Sequence, residues 1–276
     1  MYNENMKRLL IIFISALFLL FSLACVSAQD APELDFNRAY QDYLYIYGQY
    51  REAHNQYITA REQYLTYKTL TAKTLALEQT LDMLQKRDEA VRTYLTALRM
   101  KMAETTGISD YKQNTLYLKL DAEVSWYTEH REELTSAATL DDLVATSEEA
   151  ESRYDKTLVL IYQALGVILG GKENNIRNQI DEQVELIKDK ISQIRDKGDK
   201  DTTTTERWLL EAENKLTRSQ EKLDEAMTIL NALKSSDRNK EGEHNESREL
   251  IQESHLYLKE ANSYLKELIR EVKTAD

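Results

Sequence analysis

Four histidines and a surplus of carboxylates are the residues here whose types suit metal binding or proton transfer, and their spacing supports neither. His54, His130, His244 and His255 stand far apart in the chain. A carboxylate-bridged metal centre in a helical bundle takes Glu-x-x-His from two helices and further glutamates from the others. Only Glu241-Gly242-Glu243-His244 has that spacing, in a polar stretch beside a glycine, so no metal or other cofactor is expected. No nucleophile elbow, phosphate-binding glycine loop or cysteine cluster is present in the sequence. Catalysis is therefore not expected. Asn245-Glu246-Ser247 matches a glycosylation acceptor, but so short a pattern is frequent by chance.

The tyrosines carry more information. Steps of three and four residues trace Phe36, Ala39, Tyr43, Ile46, Tyr50, Ala53, Tyr57, Ala60, Tyr64 and Tyr67, a heptad seam in which aromatic rings alternate mainly with alanine. Alanine lets a second backbone come close while each ring fills the space beside it and keeps its hydroxyl within reach of water. Tyr40, Tyr45 and Tyr47 spread the aromatic character around the helix, so Tyr40, Tyr43, Tyr45, Tyr47, Tyr50, Tyr57 and Tyr64 form a candidate interface. Two readings follow: burial among helices of the same chain, or an aromatic patch for another protein, a second copy or a glycan.

A second feature is the uncharged run from Thr157 to Gly171, in which Gly166 and Gly170 have the spacing of close helix contact. The run is short of a membrane span. A buried helix with a glycine crossing is the expectation, with a membrane-contacting or self-associating segment as the alternative.

The elements that must position these residues are helices. Seven glycines and one proline leave few breakers, and Ala, Leu, Glu, Lys and Gln abound. The expected fold is all-α: an elongated antiparallel bundle or coiled coil with one very long N-terminal helix. That helix starts at an Asp35 cap and meets no strong stop before Thr105-Thr106-Gly107, which makes it about 70 residues and about 105 Å long. Its register slips once, from Tyr67 to Leu70, a place for a bend or a change of partners. Tyr43-Leu44-Tyr45-Ile46-Tyr47 alone reads as a strand, but the heptad running through it favours helix. Helices follow from Ser109, from a Thr139/Asp142 capping box, past Gly170-Gly171, which mark an end or a kink, from a Thr203/Glu206 box, and across a polar hairpin connection at 235–246. The division expected is 1–28 signal, 29–34 leader, 35–171 three-helix bundle and 172–276 second three-helix bundle, with the tyrosine half of the first helix packed on the second bundle or on another molecule.

Lys7 and Arg8 precede an apolar run from Leu9 to Ala24, and Val26-Ser27-Ala28 supplies small residues, the layout of a secretory signal cleaved after Ala28. Retention as an anchor over residues 9–28 and lipidation of Cys25 are the alternatives. Cys25 is the only cysteine, so the exported part holds no disulfide. The formal charge of -12 becomes more negative by one when Glu4, Lys7 and Arg8 leave, which argues against nucleic acid and anionic lipid as partners. Acidic residues crowd Asp121 to Asp155, expected to be a solvated face, with divalent cations or a basic partner as the sharper reading. The expected function is a non-catalytic scaffold or interaction protein of a bacterial envelope, exported and bound to a protein partner or to itself through its helix seams. The alternative is a secreted holdase or apolar-ligand carrier with a groove between its helices.

Overall fold

Asp35 caps α1 (Phe36–Tyr67), its carboxylate accepting from the Arg38 amide at 2.8 Å. The helix ends at Lys68, a left-handed residue with φ 51°, and Thr69 at once caps α2 (Leu70–Ala103) by accepting from the Ala72 amide. The register slip at Tyr67 to Leu70 is therefore a turn, and the single long helix expected from the sequence is an antiparallel hairpin. Cross-contacts show the folding back: Phe36 N–H donates to Glu104, Lys86 donates to Gln49, and the Tyr43 and Tyr94 rings sit 5.0 Å apart. Three-residue steps carry both seams round the turn, so a heptad count alone cannot tell a continuous coil from a hairpin.

This computed structural model describes residues 35–198 and 201–273. The expected signal at 1–28, its anchor and Cys25 alternatives and the leader at 29–34 lie outside the described residues. Every element described is helical, including Tyr43 to Tyr47, and none of these helices is long and apolar enough to cross a membrane.

α3 (Asp110–Glu133) returns along α2 and ends in a 3-10 turn, Leu134–Ser136. Thr139 and Asp142 then form the expected capping box, reciprocal in both bonds, and launch α4 (Leu140–Lys197). Gly170 and Gly171 neither end nor break this helix of 58 residues, so the boundary drawn at 171/172 falls within it, and the described residues from Asp35 onward form one unit. The paired glycines serve packing instead. A β-carbon at Gly171 would lie 2.5 Å from Ile108 Cγ1, and Gly107, held at φ 82°, brings its own backbone against the Gly171 carbonyl. Gly166 and Gly170 stand where α5 (Thr203–Ala232) crosses, against Leu230 in the first case and Met227 and Leu223 in the second. The Thr157–Gly171 run is thus a buried helix between two layers, α2 and α3 on one side and α5 on the other.

α5 starts from Thr202, one residue earlier than the expected box, and its cap makes no side-chain bond to the backbone; Thr202 instead donates to the Glu206 carboxylate. α6 (Lys240–Lys273) begins earlier than the polar composition of 235–246 suggests, so Glu241 and His244 are helical. α5, α6 and the second half of α4 share one core built from Ile180, Val184, Ile187, Leu216, Leu258 and Leu265. The tyrosine half of the first hairpin packs on α2 of its own chain and not on this second core.

Candidate functional site

α1 and α4 both flank α2, and Leu143 of α4 shares the hairpin core with Ala53, Tyr50 and Tyr57 of α1. Between them runs a groove of about 590 Å³, within the range of sites for small ligands. Seven tyrosines line it: Tyr43, Tyr47 and Tyr50 from α1, Tyr94 from α2, Tyr127 from α3, and Tyr154 and Tyr162 from α4. Ala90, Val91, Leu158, Ile161 and Leu165 supply the aliphatic floor and wall, and among the described residues Arg87 and Glu151 are its only charged ones.

The α1 wall is one continuous ladder. Phe36, Tyr40, Tyr43, Tyr47, Tyr50, His54 and Tyr57 follow each other at steps of three and four residues, with neighbouring ring centroids 5.5 to 6.3 Å apart. Offset and tilted rings at this spacing attract one another. Ala39, Ala53 and Ala60 lie buried beneath, so α1 approaches α2 through its alanines and leans its rings to the side. Of the expected interface residues, Tyr43, Tyr47 and Tyr50 line the groove, and Tyr40 continues the ladder at its exposed end. Tyr57 packs into the hairpin core near Met83 and Leu84, and Tyr64 is half-buried toward the turn. Tyr45 points away, 67% exposed, and belongs to neither. Burial pushes the Tyr43 and Tyr94 phenols up, and the neighbouring Tyr40 and Tyr154 phenols add to the effect at both. These hydroxyls therefore stay neutral, and the groove is polar only through uncharged O–H groups and its two ionic side chains.

Below the floor lies a buried ionic network that the sequence hid. Asp88 is 0% exposed and His130 3%. His130 Nε2 donates to the Thr146 carbonyl at 2.9 Å, and Nδ1 faces Asp88 Oδ2 at 2.5 Å. A carbonyl only accepts, so Nε2 carries a proton; an ionised Asp88 also only accepts, so Nδ1 carries another. The ring is thus an imidazolium that ties α2, α3 and α4 together. Burial alone would depress its pKa, but the Asp88 and Thr146 bonds outweigh that and hold it above the ordinary value of 6.5. Asp88 also accepts from Arg87 Nε at 3.2 Å, and Arg87 Nη1 donates to Ser147 on α4 at 3.0 Å. Trp126 covers the imidazolium with its rings 4.7 Å away, and Tyr127 meets Trp126 edge-on. The Thr157 hydroxyl donates to Glu123, which leaves Tyr127 to donate to Thr157, and burial pushes the Tyr127 phenol up to about 12.

Asp88 stands between Leu84 and Val91 at steps of four and three residues, the spacing of an apolar helix seam. A carboxylate at such a position needs a buried cation, and His130 was the partner to look for. The α4 tyrosines were missed because Tyr154 and Tyr162 join the α1 ladder only through the turn at Lys68. His244 stacks flat on Tyr162 at 4.1 Å, its Nδ1 buried without a partner, and among the described residues no group of His, Cys, Asp or Glu could hold a metal ion. Asn245-Glu246-Ser247 is helical with Ser247 buried, unlike an open acceptor site. No family model, curated protein or solved structure matches the chain.

Proposed function

We propose that this chain is an exported, non-catalytic binding protein that carries an apolar ligand in the tyrosine-lined groove between α1 and α4. One observation carries the reading: seven tyrosines drawn from four helices converge on a single open groove whose remaining lining is almost entirely aliphatic. Rings buried only to stabilise a fold close over one another, whereas these leave a volume of about 590 Å³ between them. Tyrosine suits such a wall because each residue presents wide apolar area at small cost in rotamer entropy and keeps a hydroxyl for the wet edge. The test is binding of a fluorescent apolar probe to the purified protein. Saturable binding that Leu158→Trp abolishes, with helicity unchanged by circular dichroism, supports the reading; binding that Leu158→Trp leaves intact places the probe elsewhere and refutes it.

A second reading, a scaffold that associates with another copy of itself, has one observation in its favour. Leu65, Tyr67 and Leu70 crowd the hairpin turn, and Leu70 is 82% exposed. Sedimentation velocity decides it: a concentration-dependent dimer lost in the Tyr67→Ser, Leu70→Ser variant supports the scaffold, and a monomer throughout removes it.

A further inference from the structure

Charge and donor capacity at the floor of the groove are out of balance, and the imbalance identifies one end of the ligand. Arg87 has five guanidinium N–H groups. One is taken by Asp88 and one by Ser147; the other three have no partner among the described residues, and Nη2 is buried. The single negative charge of Asp88 is shared between Arg87 and the His130 imidazolium, two cations on one anion. Nearby carboxylates do not restore neutrality. Glu89 is held by Arg92 and Arg131, which keep its pKa low despite burial, and Glu123 is held by Arg153. Glu151 on the rim is exposed and forms no ion pair among the described residues. A half-buried guanidinium with donors unused and its counter-charge already committed favours a planar, two-oxygen anion, which an arginine fork matches bidentately.

We infer that the groove binds an amphiphilic carboxylate, its hydrocarbon tail along the tyrosine and aliphatic walls and its head on Arg87. This rests on the apolar-groove reading and adds the head group to it. The tail requires a long apolar trench, supplied by Tyr43, Tyr47, Leu158, Ile161 and Leu165. Glu151 is the opposing charge, so its removal favours the bound carboxylate.

The experiment displaces the apolar probe with three ligands of one chain length: dodecanoate, dodecanol and dodecyltrimethylammonium, all below their micellar range. Dodecanoate is expected to displace it at a concentration about tenfold lower than either of the others, as one charge-assisted pair at a half-buried site provides. Arg87→Gln should erase that preference while dodecanol still binds, and Glu151→Gln should tighten dodecanoate by about threefold. Equal displacement by all three ligands overturns the carboxylate while leaving the apolar groove standing. Failure of every ligand and of the probe itself overturns both. Should Arg87→Gln lose its fold, the Glu151→Gln arm decides: unchanged dodecanoate affinity sinks the inference. A dimer that Leu158→Trp dissolves assigns the groove to a second copy and equally overturns it.

Discussion

The two halves of α4 carry two hairpins that treat their apolar surface in opposite ways. On the C-terminal half, α5 and α6 meet through seams that alternate large aliphatic residues with small ones: Leu209, Ala212 and Leu216 on one helix, Leu258, Ala261 and Leu265 on the other, all buried. Two of their small polar seam residues, Ser219 and Ser254, hydrogen-bond each other at 2.8 Å inside that interface. On the N-terminal half, α1 alternates tyrosine with alanine and buries only the alanines. The same large-small rhythm thus gives two outcomes. Leucine has no polar end and goes fully inside, whereas tyrosine turns its hydroxyl toward water and holds its ring at the edge. A half-buried ladder cannot close over α4, and the space left between them is the groove.

Below each hairpin the polar chemistry differs in the same sense. Inside the α5–α6 seam the buried polar contact is a hydroxyl pair, with His255 facing Glu173 of α4 at 3.1 Å at its edge; the open half is fixed by an imidazolium, an aspartate and an arginine reaching across three helices. The largest expected effect of breaking this contrast comes from Asp88→Ala. Leaving His130 and Arg87 without their buried anion should cost about 3–5 kcal/mol. Trp126 lies over His130 and Trp208 packs on the second core, so each half has its own fluorophore. In the Trp208→Phe background, urea unfolding followed at Trp126 should shift by that amount; a shift below about 1 kcal/mol would mean the network contributes little.

Gly166→Leu comes next. Its β-carbon would lie 2.1 Å from Leu230 Cδ1, the mobile tip of a side chain, so α5 must yield and stability should fall by about 1–3 kcal/mol. An unchanged melting temperature would show that the second hairpin is looser on α4 than its buried seam implies. Smaller still is Tyr43→Ala with Tyr50→Ala. Both rings are half-buried, so the fold should survive with a loss of about 1–2 kcal/mol while probe binding disappears. Unfolding of this variant would return the rings to the core and erase the difference between the hairpins.

The last effect is a slope with pH. The folded pKa of His130 is raised because the Asp88 and Thr146 bonds overcome the cost of burial. Its contribution to stability is therefore fully present below the unfolded value of about 6.5 and is lost as pH climbs through the higher folded value. The urea midpoint should fall as pH rises above about 6.5, and His130→Gln should flatten that fall. A midpoint that holds steady in the native chain would contradict the imidazolium.

Much of the fold could be read from the chain, and the parts that could not share a cause. Helix type, the Asp35 and Thr139 caps and the α5–α6 pairing rest on contacts within a few residues or on two seams joined by a short connection, which periodicity reports directly. The break at Lys68 showed only as the register slip from Tyr67 to Leu70, because no glycine or proline marks it and a lysine in the left-handed region leaves no compositional trace. Gly170-Gly171 misled in the opposite direction: glycines chosen to let Ile108 and α5 approach look the same in a sequence as glycines that end a helix. Two of the groove tyrosines, Tyr43 and Tyr50, were in the legible seam, and Tyr47 lay beside it. Tyr94, Tyr154 and Tyr162, and the Asp88–His130 pair, depend on which helix faces which, and that follows from the turn.

The most direct measurement is 19F NMR of the protein labelled with 3-fluorotyrosine and titrated with dodecanoate. Signals of groove residues Tyr43, Tyr47, Tyr94 and Tyr154 should move together and saturate, while those of Tyr257 and Tyr264 on α6 stay in place. Movement of the α6 signals alongside, or no movement at all, would contradict the division of this molecule into one closed half and one open to a ligand.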